Sequence, residues 1–357
     1  MPWPAWLRTT EPAEGTCYIS GSDFPTVLTR HNRSGSAWKY KQKWSTYCPN
    51  RRISYKAIDR LQPESPDDFW SIMEAAKAAD INPPTSYADL FLSTYRSPMP
   101  RITVRSPFVG FRFGGWNEAF RRGEIRGRVY QYDLNSAYRW AASLGLPDLR
   151  TAYATRDFSV PYGVFLVTNL PVGSIPWNRA SRNTVFMVTS EERNALDLPA
   201  DTPIIKGIAF RDTVKLDDAF TKVDTLFKGP IAKRISRAFW GIWNTQTAPE
   251  VYSWKHGEKV RRMRNPWYNP IWSAFITSRV KLRIAVYRGR AIHCATDSVH
   301  LAGQEIETGC GLGDWKLAGT YDRFWCRAPN QWGDGEYTIK WSGAGSILMR
   351  PGNKLIS

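Results

Sequence analysis

The chain has 357 residues, enough to bury a sizeable core and to hold more than one lobe. Its 49 Lys and Arg against 32 Asp and Glu leave a net charge of +17 beside 17 Trp, a balance suited to phosphates and stacked bases. No run of 18 apolar residues sets it in a membrane, no charged-then-apolar leader opens it, and Cys17, Cys48, Cys294, Cys310 and Cys326 lack the spacing of a zinc site or disulfide frame, so a cytosolic protein is expected.

Residues 1–100 read as an accessory region. "SAWKYKQKWSTY" alternates like a strand pair, and "PDDFWSIMEAAKAADINPP" predicts a helix with an acidic start and a proline stop. From Arg101 the character changes. Strand signals surround a Gly114-Gly115 turn, a β-rich run leads into Asp133, and a helix follows that Leu146-Pro147 ends. Residues 160–211 read as mostly β, with one helix at "SEERNAL". Two helical stretches, "KLDDAFTKVDTLFK" and "IAKRISRAFWGIW", come next, and the intervening Gly229-Pro230 predicts a tight reversal. After a loop with two Asn-Pro pairs, "RNPWYNP", the helix "IWSAFITSRVKLRIAVY" precedes a hairpin, "IHCATDSVHL", with Thr296-Asp297-Ser298 at its tip. The tail from Gly311 is short strands and turns, and there is no internal repeat or low-complexity tract.

The positive charge is uneven. Residues 228–290 hold fourteen Lys and Arg against Glu250 and Glu258 alone, which favours a polyanion-binding surface over uniform solubilisation. Against that background two carboxylates stand out: Asp133 at a strand end and Asp297 on a hairpin tip. Taken singly, each has an ordinary reading, Asp133 as a helix N-cap and Asp297 as a turn residue. Taken together, they are what a two-metal phosphoryl-transfer site requires, with oxygen clusters holding Mg²⁺ or Mn²⁺. A third element favours the pair. Lys233, Arg237, Trp240 and Gly241 are spaced i, i+4, i+7 and i+8, so one helix face offers two cations for phosphates, then an aromatic ring and a bare glycine against which a base pair can lie.

These motifs resemble those of the family B DNA polymerases, in the compact branch of phages, plasmids and organellar elements. Asp133-Leu-Asn-Ser-Ala-Tyr138 resembles motif A, Asp-x-x-Ser-Leu-Tyr. Lys233-x-x-x-Arg-x-x-Trp-Gly241 resembles motif B, Lys-x-x-x-Asn-x-x-Tyr-Gly, and Ala295-Thr-Asp297-Ser298 resembles motif C, Asp-Thr-Asp-Ser. The order along the chain is the family's own, and weaker echoes in "FRFGGWNEAFRRG", "NPIWSAFITSRVKLRI", "GDWKLAG" and "RAPNQW" extend the match over residues 85–345.

The resemblance implies an α+β fold: a palm of antiparallel sheet backed by helices, short two-helix fingers, a reduced thumb and a small N-terminal region. The implied layout is an accessory, nucleic-acid-contacting region at 1–100, palm at 101–213, fingers at 214–270, palm and reduced thumb at 271–345, and a tail at 346–357. Asp133 and Asp297 would be the catalytic metal ligands, with the Leu134 carbonyl a third oxygen. Tyr138 would press under the sugar and exclude a 2′-hydroxyl. Lys233 would hold the triphosphate with Arg237 and with Lys222 or Lys228, while Trp240 and Gly241 meet the nascent base pair. Gly114, Gly115, Thr296, Ser298, Lys316 and Trp332 would lie along the DNA.

The implied partners are primer-template DNA, dNTPs and a clamp, terminal or other replication protein, in the cytoplasm of a host cell. Three departures bear on these roles: Ala295 replaces the first motif C acid, Arg237 and Trp240 replace Asn and Tyr, and Asn330-Gln-Trp332 replaces a Lys-x-Tyr beside the primer. The one Asp-x-Glu, Asp334-Gly-Glu336, lies far from the N-terminal region, so no 3′-5′ exonuclease is expected. Rival readings are an RNase H-like two-metal nuclease or integrase, which needs a third carboxylate and no cationic helix face, and a DNA-binding descendant that has lost its chemistry.

Overall fold

The computed structural model describes residues 5–6, 15–19, 37–40, 43–48, 53–57, 66–81, 87–94, 108, 114–177, 185–227, 229–244, 247–253, 258–264, 267–329, 331–333, 338–341 and 346–348. In chain order, strands β1 (Ala5–Trp6), β2 (Gly15–Ile19), β3 (Ala37–Tyr40), β4 (Lys43–Cys48) and β5 (Ile53–Ala57) precede helices α1 (Pro66–Ala78) and α2 (Tyr87–Thr94). Strands β6 (Trp116–Ala119) and β7 (Gly123–Leu134) lead to α3 (Ala137–Ser143). There follow β8 (Leu146–Pro147), β9 (Ala152–Ala154), β10 (Gly163–Val167), β11 (Phe186–Thr189), α4 (Ser190–Ala195), β12 (Ile204–Phe210) and β13 (Thr213–Val214). Helices α5 (Asp217–Leu226) and α6 (Gly229–Asn244) are followed by β14 (Thr247–Ser253) and β15 (Glu258–Arg264). The last elements are α7 (Pro270–Ala285), β16 (Ala291–Thr296), β17 (Ser298–Ala302), β18 (Trp315–Ala328), β19 (Gln331–Gly333), β20 (Thr338–Trp341) and β21 (Ser346–Leu348).

The chain divides into two compact units, each built from two segments. The first comprises Met1–Ile102 and Leu216–Asn269, the second Thr103–Lys215 and Pro270–Ser357. In the first unit, the expected strand pair is the β3–β4 hairpin, with Trp38 opposite Ser45. The sheet that contains it runs β1-β2-β5-β4-β3-β14-β15. The stretch after the paired helices thus supplies two strands, within the 214–270 segment, that the sequence reading did not anticipate. Helix α6 begins at Gly229-Pro230, where the φ of Gly229 is +61°, just after α5 ends at Leu226, and Phe220 of α5 meets Phe239 of α6 with ring centroids 5.0 Å apart. Proline suits a first helical turn because its missing N–H has no intrahelical acceptor there. Ala232, Ile235, Phe239 and Trp243 form the buried stripe of α6, and Phe91 of α2 packs against Phe239 and Phe220 with ring centroids 5.3 and 5.6 Å away.

The second unit is dominated by an antiparallel sheet in the order β21-β20-β19-β18-β7-β17-β16-β6. This sheet curls: the carbonyl of Pro329, just past β18, reaches His293 of β16, and Val129, Ile292, Phe324, Cys326 and Trp332 share one core. A smaller sheet, β11-β10-β12-β9, packs around Phe158, Phe165 and Val188. Helix α7 ties these parts together. The buried Arg279 guanidinium donates to both oxygens of Glu191 at the start of α4 and to the carbonyl of Ala141 in α3, at 2.6 to 3.0 Å and 2.5 Å respectively. Trp272 donates its indole N–H to the carbonyl of Pro147 at 2.8 Å. α4 itself carries a capping box in which Thr189 and Glu192 satisfy each other's backbone N–H groups.

Candidate active site

The site is built from the sheet outward. In β7 the side chains alternate, so Tyr132 and Leu134 are buried on one face while Asp133 and Gln131 point to the other. Asp133 is in register with Ser298 of β17 on one side and Lys316 of β18 on the other, and Ser298 in turn faces Ala295 of β16. Directly paired residues share a face, so Ala295, Ser298, Asp133 and Lys316 form one cross-strand row.

The β16–β17 hairpin has a two-residue tip. Ala295 and Ser298 pair directly, Thr296 takes a φ of +60°, and the Asp297 N–H donates to the Ala295 carbonyl at 2.7 Å. The Ser298 hydroxyl donates to the same carbonyl at 3.0 Å. Thr296 is a β-branched residue in the left-handed region, a rare placement that costs energy and that clusters at functional sites. Beside this tip, Gly115 explains itself. A Cβ there would stand 2.7 to 2.9 Å from Thr296 atoms, whereas one at Gly114 would meet nothing within 4 Å.

The β7–β17 ladder joins the two aspartate-bearing elements, and one further backbone hydrogen bond extends it past Ser298. The Leu134 N–H donates to the Asp297 carbonyl at 2.9 Å, so residues 133 and 297 come to the same end of the sheet. Both side chains are half-buried. The turn after Asp133 is held by Asn135, whose N–H donates to the Asp314 carbonyl at 2.8 Å and whose side-chain amide donates to the carbonyls of Cys310 and Gly311. Ser136, at φ +50°, is the N-cap of α3, so Asp133 is not spent as the helix cap that its sequence context had allowed. Tyr138, the second residue of α3, is half-buried, and burial together with the nearby Asp297 charge pushes its phenol well above the usual tyrosine range. It is a neutral ring and hydroxyl at every physiological pH.

These carboxylates are hard oxygen donors of the kind Mg²⁺ and Mn²⁺ take. Among the described residues no cluster of three or more His, Cys, Asp or Glu is arranged to hold a metal, so a cation at Asp133 and Asp297 would have to draw its remaining donors from backbone, water or substrate oxygens. The fit is adequate for a cation that keeps water or substrate oxygens in its shell, as Mg²⁺ does.

Of the other residues singled out in the sequence, Lys233 and Arg237 are exposed on α6, opposite its buried stripe, and Trp240 and Gly241 are half-exposed on the next turns. A Cβ at Gly241 would meet nothing within 4 Å, so the chain's own packing does not demand glycine there. Lys222 is exposed on α5, and Lys228 lies outside the described residues, as does Asn330. Trp332, expected along the DNA, is a correction. It is 7 % exposed and packs against His300 at 4.4 Å and Phe324 at 5.7 Å, so its ring is committed to the core of the curled sheet.

Sequence reasoning missed two features on the inner face of this sheet. The first is a buried histidine pair: His293 Nδ1 lies 3.3 Å from His300 Nδ1, and His293 Nε2 lies 2.5 Å from the Pro329 carbonyl. A carbonyl only accepts, so His293 carries its proton on Nε2 and accepts at Nδ1, which makes His300 the Nδ1–H tautomer. Burial pushes His293 down to about 4, so its ring is neutral at pH 7. The second is the contact between Gln131 and Asp133, where the amide nitrogen lies 3.3 Å from Oδ1. The one available signal for both was alternation in β7 and β17, which puts Gln131 and His300 on the face of Asp133.

The fold, with its curled antiparallel sheet in a mixed α/β arrangement, is like that of a solved DNA polymerase. The chain is similar to Phi29 DNA polymerase in its orthorhombic crystal form, with a TM-score of 0.68 at 15 % identity over 95 % of this chain and 82 % of that one. It is similar also to Phi29 DNA polymerase complexed with primer-template DNA and incoming nucleotide substrates, at 0.63 and 14 % identity over 95 % and 84 % of the two chains. The complex of that polymerase with single-stranded DNA gives 0.63 at 16 % identity over 95 % and 81 %. No protein-family model and no curated protein sequence matches the chain. Likeness at such identities concerns the fold.

Proposed function

We propose that the chain is a template-directed DNA polymerase of the compact family B type, adding dNTPs to a primer 3′-hydroxyl without a proofreading exonuclease. The observation that carries this reading is the Leu134 N–H to Asp297 carbonyl bond, which brings the motif A-like and motif C-like aspartates to one end of the sheet. In this reading the two carboxylates and the Leu134 carbonyl hold Mg²⁺ or Mn²⁺. Divalent ions bound there would favour attack of the 3′-hydroxyl on the α-phosphate and neutralise the triphosphate charge.

The chain's own residues supply the rest. Lys233, Arg237 and Lys222 or Lys228 hold the triphosphate as charged donors. Tyr138, half-buried at the start of α3, sets its ring beneath the sugar and excludes a 2′-hydroxyl. Trp240 and the uncrowded Gly241 give the nascent base pair a flat support, while Gly114, Gly115, Thr296, Ser298 and Lys316 line the strand path. Positioning and charge neutralisation account for most of the rate enhancement in such a reaction. The partners are primer-template DNA, dNTPs and, for processive synthesis, a clamp or other replication protein.

One observation favours a second reading. Ala295 occupies the cross-strand row of Ser298 and Asp133, where the family carries an acid, and this is the change expected of a DNA-binding descendant that has given up chemistry. Extension of a labelled primer on a defined template with Mg²⁺ and dNTPs, compared with Asp297→Asn, separates the readings. Template-dependent addition that vanishes in the variant supports the polymerase. Tight binding without a change in primer length under Mg²⁺ or Mn²⁺ supports the retired site, and primer shortening would point to a nuclease.

A further inference from the structure

Between the core of the curled sheet and Asp133 runs a short chain of hydrogen bonds. The Tyr321 hydroxyl lies 2.7 Å from Gln131 Oε1, and Gln131 Nε2 lies 3.3 Å from Asp133 Oδ1. The chemistry of the ends fixes every role. A carboxylate only accepts, so the amide nitrogen faces Asp133, the amide oxygen faces Tyr321, and the phenol donates.

The backbone is arranged to permit this. β18 pairs with β7 as Lys316 with Asp133 and Leu317 with Tyr132, but then Gly319 with Gln131 and Tyr321 with Val129, so Ala318 is an extra residue. Without that bulge, alternation would send Tyr321 to the opposite face from Asp133; with it, Tyr321 stands on the same face, one pair away from Gln131. The residue directly opposite Gln131 is a glycine, and a Cβ there would lie 2.9 Å from the Tyr321 hydroxyl oxygen. Gly319 therefore leaves the space that the phenol crosses. The Tyr321 ring is anchored at its other side by His300, Phe324 and Trp332.

We infer that Gln131 and Tyr321 are positioning residues that hold Asp133 by Oδ1 and present Oδ2 to the cation. The inference rests on the polymerase reading for its kinetic consequences and on the Asp133 site alone for its metal-binding consequence. A hydrogen-bonded supporter of a ligating carboxylate is typically worth about 10- to 100-fold in metal affinity or activity.

The test compares wild type with Tyr321→Phe, Gln131→Leu and the double variant. Mn²⁺ affinity is measured by electron paramagnetic resonance without substrate, and kcat and KM for dNTP by primer extension. Tyr321→Phe keeps the ring in the core, and Gly319→Ala reaches the same hydroxyl from a residue outside it. We expect each single variant to weaken Mn²⁺ binding and lower kcat by about tenfold or more with KM for dNTP little changed, and the double variant to be no worse than Gln131→Leu alone. Wild-type Mn²⁺ affinity in all of them would overturn the inference. A wild type that binds Mn²⁺ through Asp133 but extends no primer would sink the polymerase reading, while the Mn²⁺ titrations would still decide the positioning pair.

Discussion

Arg279 shows how a single side chain fixes the frame around the site. Its guanidinium is almost fully buried, grips Glu191 at both oxygens and caps the Ala141 carbonyl, so it joins three helices with one fork. Removing one partner of such a buried pair leaves an uncompensated charge, and Arg279→Met is expected to cost about 3–5 kcal/mol in urea unfolding. Arg279→Lys should recover little of this, because an ammonium cannot make the bidentate contact and reach Ala141 as well. The histidine pair makes a second residue-scale prediction. His293 titrates lower in the folded chain than its unfolded value of about 6.5, so its contribution is complete above that pH. Stability should fall as pH drops from about 6.5 toward 4, read as a declining urea midpoint, and His293→Gln should flatten that slope.

At the scale of elements, the hairpin tip and helix α6 make opposite demands. The tip is crowded, and Gly115→Ala is expected to lower the thermal midpoint because its Cβ would meet backbone and side chain of Thr296, while Gly114→Ala should stay within about 0.5 kcal/mol of wild type. Helix α6 is amphipathic. Phe239→Ala should cost about 3–5 kcal/mol through the cavity it leaves beside Phe91 and Trp243, whereas Lys233→Ala should leave the urea midpoint nearly unchanged.

Much of this layer was legible before any coordinates. The alternation of "IHCATDSVHL" marked the hairpin, the acidic start and proline stop marked α1, and the motif A-like and motif C-like stretches held Asp133 and Asp297, which the second unit brings to one sheet end. What stayed hidden is non-local. β14 and β15 sit in a cationic stretch whose pairing with β3 no local pattern announces, and the bulge at Ala318 changes the face of Tyr321 by one residue of register. Trp332 was misplaced for a related reason, since a tryptophan near a strand-binding motif looks the same in sequence whether it stacks on a base or on His300.

In the proposed role the net charge of +17 of the whole molecule would act through phosphate binding. Affinity for primer-template should fall steeply with salt on a log–log plot, and Lys233→Ala should reduce that slope by about 1 if the side chain contacts a phosphate. Among the described residues no helix is long and apolar enough to cross a membrane. The interleaving of the two units has its own consequence, which concerns synthesis of the chain. β3 has β4 on one side, and its other neighbour, β14, lies beyond the entire first segment of the second unit. A ribosome therefore releases β3 long before the strand that covers it, and for that interval a row of backbone donors and acceptors is open to any passing strand. Nascent chains stalled short of residue 247 should be the species that chaperones bind or that aggregate, and ribosome-bound chains extended past residue 264 should resist both fates.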